Sequence, residues 1–102
     1  MTIAEKVYKY KEVLRIDQSN TANDELITSL VKALPGYIEV QTGYPEAQQD
    51  NEPLVDTVSG FIMRVWYYAD HADDVKLQRT IDSLLKAITL KANTIHRAEV
   101  DN

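Results

Sequence analysis

The stretch that decides the fold is TANDELITSLVKALPGYIEVQT, residues 21–42. Its large apolar residues recur at every third or fourth position and form one stripe: Ile27, Leu30, Val31, Leu34 and Ile38. A stripe with this period predicts an amphipathic α-helix that buries one face. Asp24 and Glu25 lie in its first turn, where the helix dipole favours negative charge. Gly43 stands where a C-terminal cap glycine is expected.

The irregular feature of this stretch is Pro35-Gly36 in its interior. Proline has no amide hydrogen to donate, and its ring clashes with the carbonyl group four residues earlier. We therefore expect this helix to be kinked or broken at Pro35-Gly36.

Three further segments have the same period. The first is a short helix that ends near Leu14, and Thr2 and Glu5 form a capping-box pattern at its start. The second runs from Pro53 to about Ala69, and the third begins near Asp74. Their apolar positions are Ile3, Val7, Tyr10 and Leu14; Leu54, Val58, Phe61, Ile62, Val65 and Ala69; and Leu77, Ile81, Leu84, Leu85 and Ile88. The predicted fold class is therefore all-α, a small bundle of about four helices.

The C-terminal residues differ from the rest, because the apolar pattern beyond Ile88 fades to Leu90, Ile95 and Val100. Such a pattern buries too little area to offset the entropy of ordering about ten residues. We expect one helical domain over residues 1–91 and a flexible tail over residues 92–102. Deleting that tail should leave the melting of the isolated chain nearly unchanged.

Composition excludes several classes of protein. The chain has 102 residues, 44% of them hydrophobic and 26% charged, as expected for one globular domain. It has no cysteine, which excludes disulfides, thiolate metal sites and a cysteine nucleophile. No apolar run approaches the roughly 18 residues that cross a bilayer, and the N-terminus lacks the apolar stretch of a signal peptide. We expect a protein that works in a cytoplasm or in something assembled there, without a membrane partner.

The formal net charge of -5 disfavours a free-standing nucleic-acid binder, because neutralising phosphates needs a basic surface. The charge is unevenly distributed along the chain. Residues 1–16 carry four bases and two acids, and residues 75–102 carry five bases and three acids, whereas two bases and eleven acids lie between them. This pattern suits head-to-side packing of copies on each other. Solvated helix faces are the alternative interpretation.

The densest group of potential metal ligands is Asp70, His71, Asp73 and Asp74. These residues could hold a divalent ion; alternatively, Asp73 or Asp74 caps the last helix and the others lie in a solvated loop. Their spacing matches neither a calcium-binding EF-hand loop nor a helical two-histidine zinc motif. His96 has no nearby partner in the sequence to orient it as a general base, and no serine lies in a nucleophile-elbow motif. We therefore predict no catalytic, cofactor-binding or metal-binding residue, and no enzymatic activity.

The consecutive aromatic residues Trp66, Tyr67 and Tyr68 step about 100° each around a helix, so they cannot all face one core. At least one should lie at the surface or in an interface. The trio forms either a wide core seam or an anchor for a partner, since Trp and Tyr are enriched at interface hot spots.

Four segments, in this order, resemble the head-completion connector, or adaptor, proteins of long-tailed phages. They are LRID (14–17), NDELITSLVKA (23–33), YIEVQTGYP (37–45) and VWYYAD (65–70). The resemblance covers residues 12–70 well and the last helix loosely. The chain departs from the pattern at Pro35-Gly36, where many relatives have helix formers, and in its short link between the last two predicted helices.

The resemblance implies a helical bundle with a structural role at the head–tail interface of a virion, assembled in the host cytoplasm. Such proteins bind as a ring of about a dozen copies beneath the portal protein after DNA packaging. The ring extends the DNA channel, which DNA passes without specific binding, and provides the platform for a stopper protein.

The resemblance also suggests that the C-terminal region meets the portal or a neighbouring copy. Lys91 and Arg97 would then supply charge contacts and Ile95 an apolar anchor. If the C-terminal region is not the contact, the partner surface would be the Trp66, Tyr67 and Tyr68 segment instead. The alternative function is a small intracellular helical regulator that binds another protein through the Trp66 region.

Overall fold

The computed structural model describes residues 1–68 and 74–100, with only the backbone described for residues 98–100. Its helices, in chain order, are α1 (Ile3–Val13), α2 (Asp24–Thr42), α3 (Glu46–Gln49), α4 (Pro53–Tyr67) and α5 (Val75–Val100). The described residues contain no strand. The predicted all-α class with about four helices is confirmed, and the short α3 is the element that the sequence pattern did not predict.

Four of the helix ends carry the caps that the sequence predicts. Thr2 and Glu5 form the complete capping box of α1, each side chain accepting a hydrogen bond from the other residue's backbone amide. Gly43 closes α2 in the left-handed conformation with φ of 78°. Pro53 is the first residue of α4, and the Asp74 carboxylate accepts a hydrogen bond from the third backbone amide of α5 at 3.0 Å. The sequence allowed Asp74 to be either a metal ligand or a helix cap, and in the structure it caps α5.

Helix α2 is continuous across Pro35 and Gly36 and extends to Thr42. The predicted break is therefore absent, while a kink without a break stays a prediction. The side-chain amide of Gln49 donates hydrogen bonds to the carbonyl oxygens of Pro35 and Tyr44, at 3.0 and 3.1 Å. The first bond joins the short α3 to the middle of α2, and the second joins it to the link between the two helices.

Helix α2 is the centre of the bundle, because it packs against each of the other four helices. Four of the five residues of its predicted stripe are buried, and Leu30 packs against them at the edge. The largest fully buried side chains are Ile27, Val31, Ile38, Val58, Met63 and Ile88. The core therefore lies between α2, α4 and α5, with Tyr10 and Leu14 added from the end of α1.

Helix α5 does not end at residue 91 but continues through Ala92 and Ile95 to Val100. Ala92 is fully buried and Ile95 packs against the core, so the apolar stripe of α5 is longer than its large residues indicate. Ala92 packs beside the turn that closes α2, because a Cβ built on Gly43 would lie 3.9 Å from its Cβ, an ordinary van der Waals distance. Residues 92–100 are thus helical, and the mobility of this segment in solution stays a prediction.

Candidate interaction surfaces

The aromatic segment Trp66, Tyr67 and Tyr68 lies at the end of α4, and all three rings are half-buried. Trp66 packs edge-on against Tyr37 of α2, with ring centroids 5.1 Å apart. Tyr67 and Tyr68 pack edge-on against each other, with centroids 4.9 Å apart. Edge-to-face pairs stabilise a fold beyond the area that they bury. The segment is therefore part of the bundle, and its role as a partner anchor stays a prediction.

Two tyrosine hydroxyl groups fasten the end of α4 to the loop between α1 and α2. The Tyr68 hydroxyl donates a hydrogen bond to the carbonyl oxygen of Leu14 at 2.6 Å. The side-chain amide of Asn23 donates one to the Tyr67 hydroxyl at 2.8 Å. Leu14, Asn23, Tyr67 and Tyr68, which are far apart in the sequence, therefore meet at one end of the bundle.

The same loop folds around a buried lysine. Lys11 is only 3% exposed, and its ammonium group donates hydrogen bonds to the carbonyl oxygens of Gln18 and Asn20, at 3.1 and 2.8 Å. The ammonium also lies 3.0 Å from Oδ1 of Asp24, which balances its charge. Arg15 has φ of 60°, so the chain turns sharply after α1 and returns over the ammonium. Because a buried charge is costly without such partners, Lys11 holds this loop in one conformation.

The other lysines of α1 also form ion pairs within the chain. Lys6 lies 3.8 Å from Asp50, and Lys9 pairs with Asp56. With Lys11, three of the four bases of the positively charged N-terminal interval thus pair with acids from the negatively charged middle of the same molecule. Head-to-side packing between copies would have to rely on other charges.

Glu52 joins the start of α4 to α5. This buried carboxylate accepts hydrogen bonds from the Lys91 ammonium at 2.9 and 3.0 Å and from the backbone amide of Leu54 at 3.2 Å. The hydrogen bond from Lys91 and, after it, the one from Leu54 lower the pKa of Glu52 below its ordinary value. The predicted partner residue Lys91 therefore already has a partner inside the chain.

The remaining predicted contact residues of α5 point in different directions. Ile95 packs against the core, beside the turn in which Nε2 of His96 lies 3.1 Å from the carbonyl oxygen of Gly43. Arg97 is exposed on the outer side of the helix. The structure therefore does not bring Lys91, Ile95 and Arg97 together into one surface.

A cavity of about 650 Å³ lies between α1, α2 and the start of α4. Val31, Leu34 and Val55 give it apolar walls. The ion pairs of Lys6 with Asp50, just after α3, and of Lys9 with Asp56 of α4 also line it. Burial of the wall residue Tyr10 raises the pKa of its hydroxyl group. The cavity has the size of a small-molecule pocket, but no group in its walls points to a particular ligand.

The predicted ligand-like cluster lies mostly outside the described residues, because Asp70, His71 and Asp73 are not among them. Asp74, its fourth member, caps α5. Within residues 1–68 and 74–100, no group of three or more His, Cys, Asp or Glu side chains is placed to hold a metal ion.

Sequence reasoning missed the burial of Lys11. A signal exists, because Lys11 lies four residues after Val7 and three before Leu14, on the apolar face of α1. Glu52 and Lys91 are 39 residues apart, and no local pattern connects them.

The sequence matches no protein-family model, and no curated protein or solved structure matches it either. None of the helices in the described part of the chain is long and apolar enough to span a membrane.

Proposed function

We propose that this chain is a head–tail connector of a tailed phage, a structural rather than catalytic protein. It would bind beneath the portal as a ring, extend the DNA channel and provide the docking platform for a stopper protein. The proposal rests on the resemblance of residues 12–70 to connector proteins, which are helical bundles.

One structural observation supports the use of that resemblance. Its segments are distant in sequence, yet Leu14, Asn23, Tyr67 and Tyr68 are joined by hydrogen bonds at one end of the bundle. These contacts support the proposal because they join three of the segments on which the resemblance rests.

The direct test is attachment to capsids. The purified chain is mixed with DNA-filled capsids of the phage whose genome encodes it, and electron microscopy shows whether density is added at the portal vertex. Capsids that lack the portal serve as the control. We expect a ring of added density on the portal-bearing capsids alone.

Two outcomes would contradict the proposal. One is the absence of added density at the portal. The other is stoichiometric binding of one copy to a single host or phage protein, which would favour the alternative role of a small helical regulator.

A further inference from the structure

The outer face of α5 carries a line of positive charge. Lys76, Arg79, Lys86 and Arg97 are all exposed and recur at intervals of three, seven and eleven residues, which places them on one side of the helix. Exposed Leu90 lies among them. We call these five residues the basic stripe. It extends roughly 32 Å along the helix, at a rise of about 1.5 Å per residue.

The charges of the basic stripe are not neutralised within the described part of the chain. None of its four cations forms an ion pair there, in contrast to the lysines of α1. The stripe holds four of the 11 lysine and arginine residues. The rest of the chain therefore has seven basic and 16 acidic residues, a formal charge of -9. A second copy of the molecule therefore presents a mostly acidic surface to the stripe.

The acidic surface with the most exposed apolar side chain lies at the end of α2. Val40 is 83% exposed, and the exposed residues Ala33 and Tyr37 precede it on the same side of the helix. Glu39 lies beside it and accepts a hydrogen bond from the backbone amide of Glu46 at 2.9 Å, which keeps two acidic residues together. We call these five residues the Val40 patch. Helices α2 and α3 together carry four acidic residues and one lysine.

We propose that the basic stripe of one copy binds the Val40 patch of a second copy. Leu90 and Val40 would form the apolar centre of the contact, with Lys86 and Arg97 opposite Glu39 and Glu46. The two surfaces are unlike and lie on different helices, so the contact is heterologous and each copy can bind two neighbours, as a ring requires. This inference deepens the proposed function and, as a ring contact, rests on it.

Two observations favour a protein partner over nucleic acid. The acidic balance of the remaining chain repels a phosphate backbone. Leu90, 69% exposed between Lys86 and Arg97, adds an apolar group that a phosphate backbone does not need and that a protein contact buries.

The test is a charge exchange. Sedimentation equilibrium compares the unchanged chain with two double variants, Lys86→Glu/Arg97→Glu in the basic stripe and Glu39→Lys/Glu46→Lys in the Val40 patch. The measurements use high protein concentration and low ionic strength, where charge contacts are least screened. We expect the unchanged chain to self-associate and each double variant alone to lose more than tenfold in association constant, since like charges then face each other. An equimolar mixture of the two variants should associate again, because each stripe then meets an oppositely charged patch.

Matched controls separate charge from folding. Lys86→Arg/Arg97→Lys keeps the charges and should associate like the unchanged chain. Circular dichroism and melting confirm that each variant is folded. Val40→Lys serves as a second patch variant, because this side chain is too exposed to support the core.

Three results would overturn the inference: a chain that stays monomeric at every concentration, association that survives both charge reversals, or no recovery in the mixture. Binding of a DNA duplex that Lys86→Glu/Arg97→Glu abolishes, without self-association, would assign the stripe to phosphates instead. The capsid experiment tests the proposed function independently. If the chain attaches to the portal but fails the charge-exchange test, this contact is refuted and the proposed function still stands.

Discussion

Replacing Lys11 with methionine removes a buried charge while keeping an unbranched side chain of similar length. The carbonyl groups of Gln18 and Asn20 would lose a donor, and the carboxylate of Asp24 would lose its counter-ion. Breaking a buried ion pair by removing one partner costs about 3–5 kcal/mol. The Asp24 side chain as a whole is 38% exposed, but its Oδ1, the oxygen that pairs with Lys11, is buried and would be left without a counter-charge. We therefore expect a loss of at least about 3 kcal/mol.

A loss of that size is large for a small domain, because the total free energy of unfolding is roughly 5–15 kcal/mol. Urea unfolding followed by far-ultraviolet circular dichroism would measure it as a lower midpoint with an unchanged slope. Lys9→Met is the matched control, because its ion pair with Asp56 is partly solvated and should contribute no more than about 1 kcal/mol.

Hydrogen exchange locates the effect of Lys11→Met. The amides of residues 16–23 should exchange faster than in the Lys9→Met control, since the ammonium that holds the loop is missing. If Lys11→Met costs no more than Lys9→Met, or if loop exchange is unchanged, the interpretation of Lys11 as the structural centre of this loop is wrong.

Three other predictions concern the contacts of α4 and α5. Because the pKa of Glu52 is lowered in the folded state, its carboxylate stabilises the fold above the ordinary glutamate pKa, and this contribution is lost as the pH falls through the folded-state pKa. Glu52→Gln should therefore make the melting temperature depend less on pH in the acid range. Identical pH profiles of the two proteins would contradict this prediction. Deleting residues 92–102 should lower the melting temperature, contrary to the expectation from sequence, because Ala92 and Ile95 pack in the core; unchanged melting would restore the flexible tail. Tyr68→Phe should cost about 1 kcal/mol in urea unfolding by leaving the Leu14 carbonyl without its donor, whereas Tyr8→Phe, at an exposed ring, should cost nothing measurable.

Periodicity predicted the core of this chain well, because each buried helix face leaves a repeating trace in the sequence. Ile27, Val31 and Ile38 were expected to be buried and are. The same reasoning failed at Ala92, because alanine contributes little to an apolar stripe although this side chain is fully buried against the core. Segment boundaries defined by caps were also predictable, since a cap depends on a few adjacent residues.

Contacts between distant charges could not be predicted in this way. The pairs Lys11 with Asp24 and Lys91 with Glu52 depend on how the loops return, and nothing in the local sequence specifies that return. Their formation changes the functional argument, because it removes the α1 lysines and Lys91 from the charges available to a partner. The cations that remain unpaired within the described residues include those of the outer face of α5. That face is mostly polar, and the exposed Leu90 on it forms no apolar stripe. The outer face of α5 reveals least about the fold in the sequence, and in the structure it is the face whose charges are available to a partner.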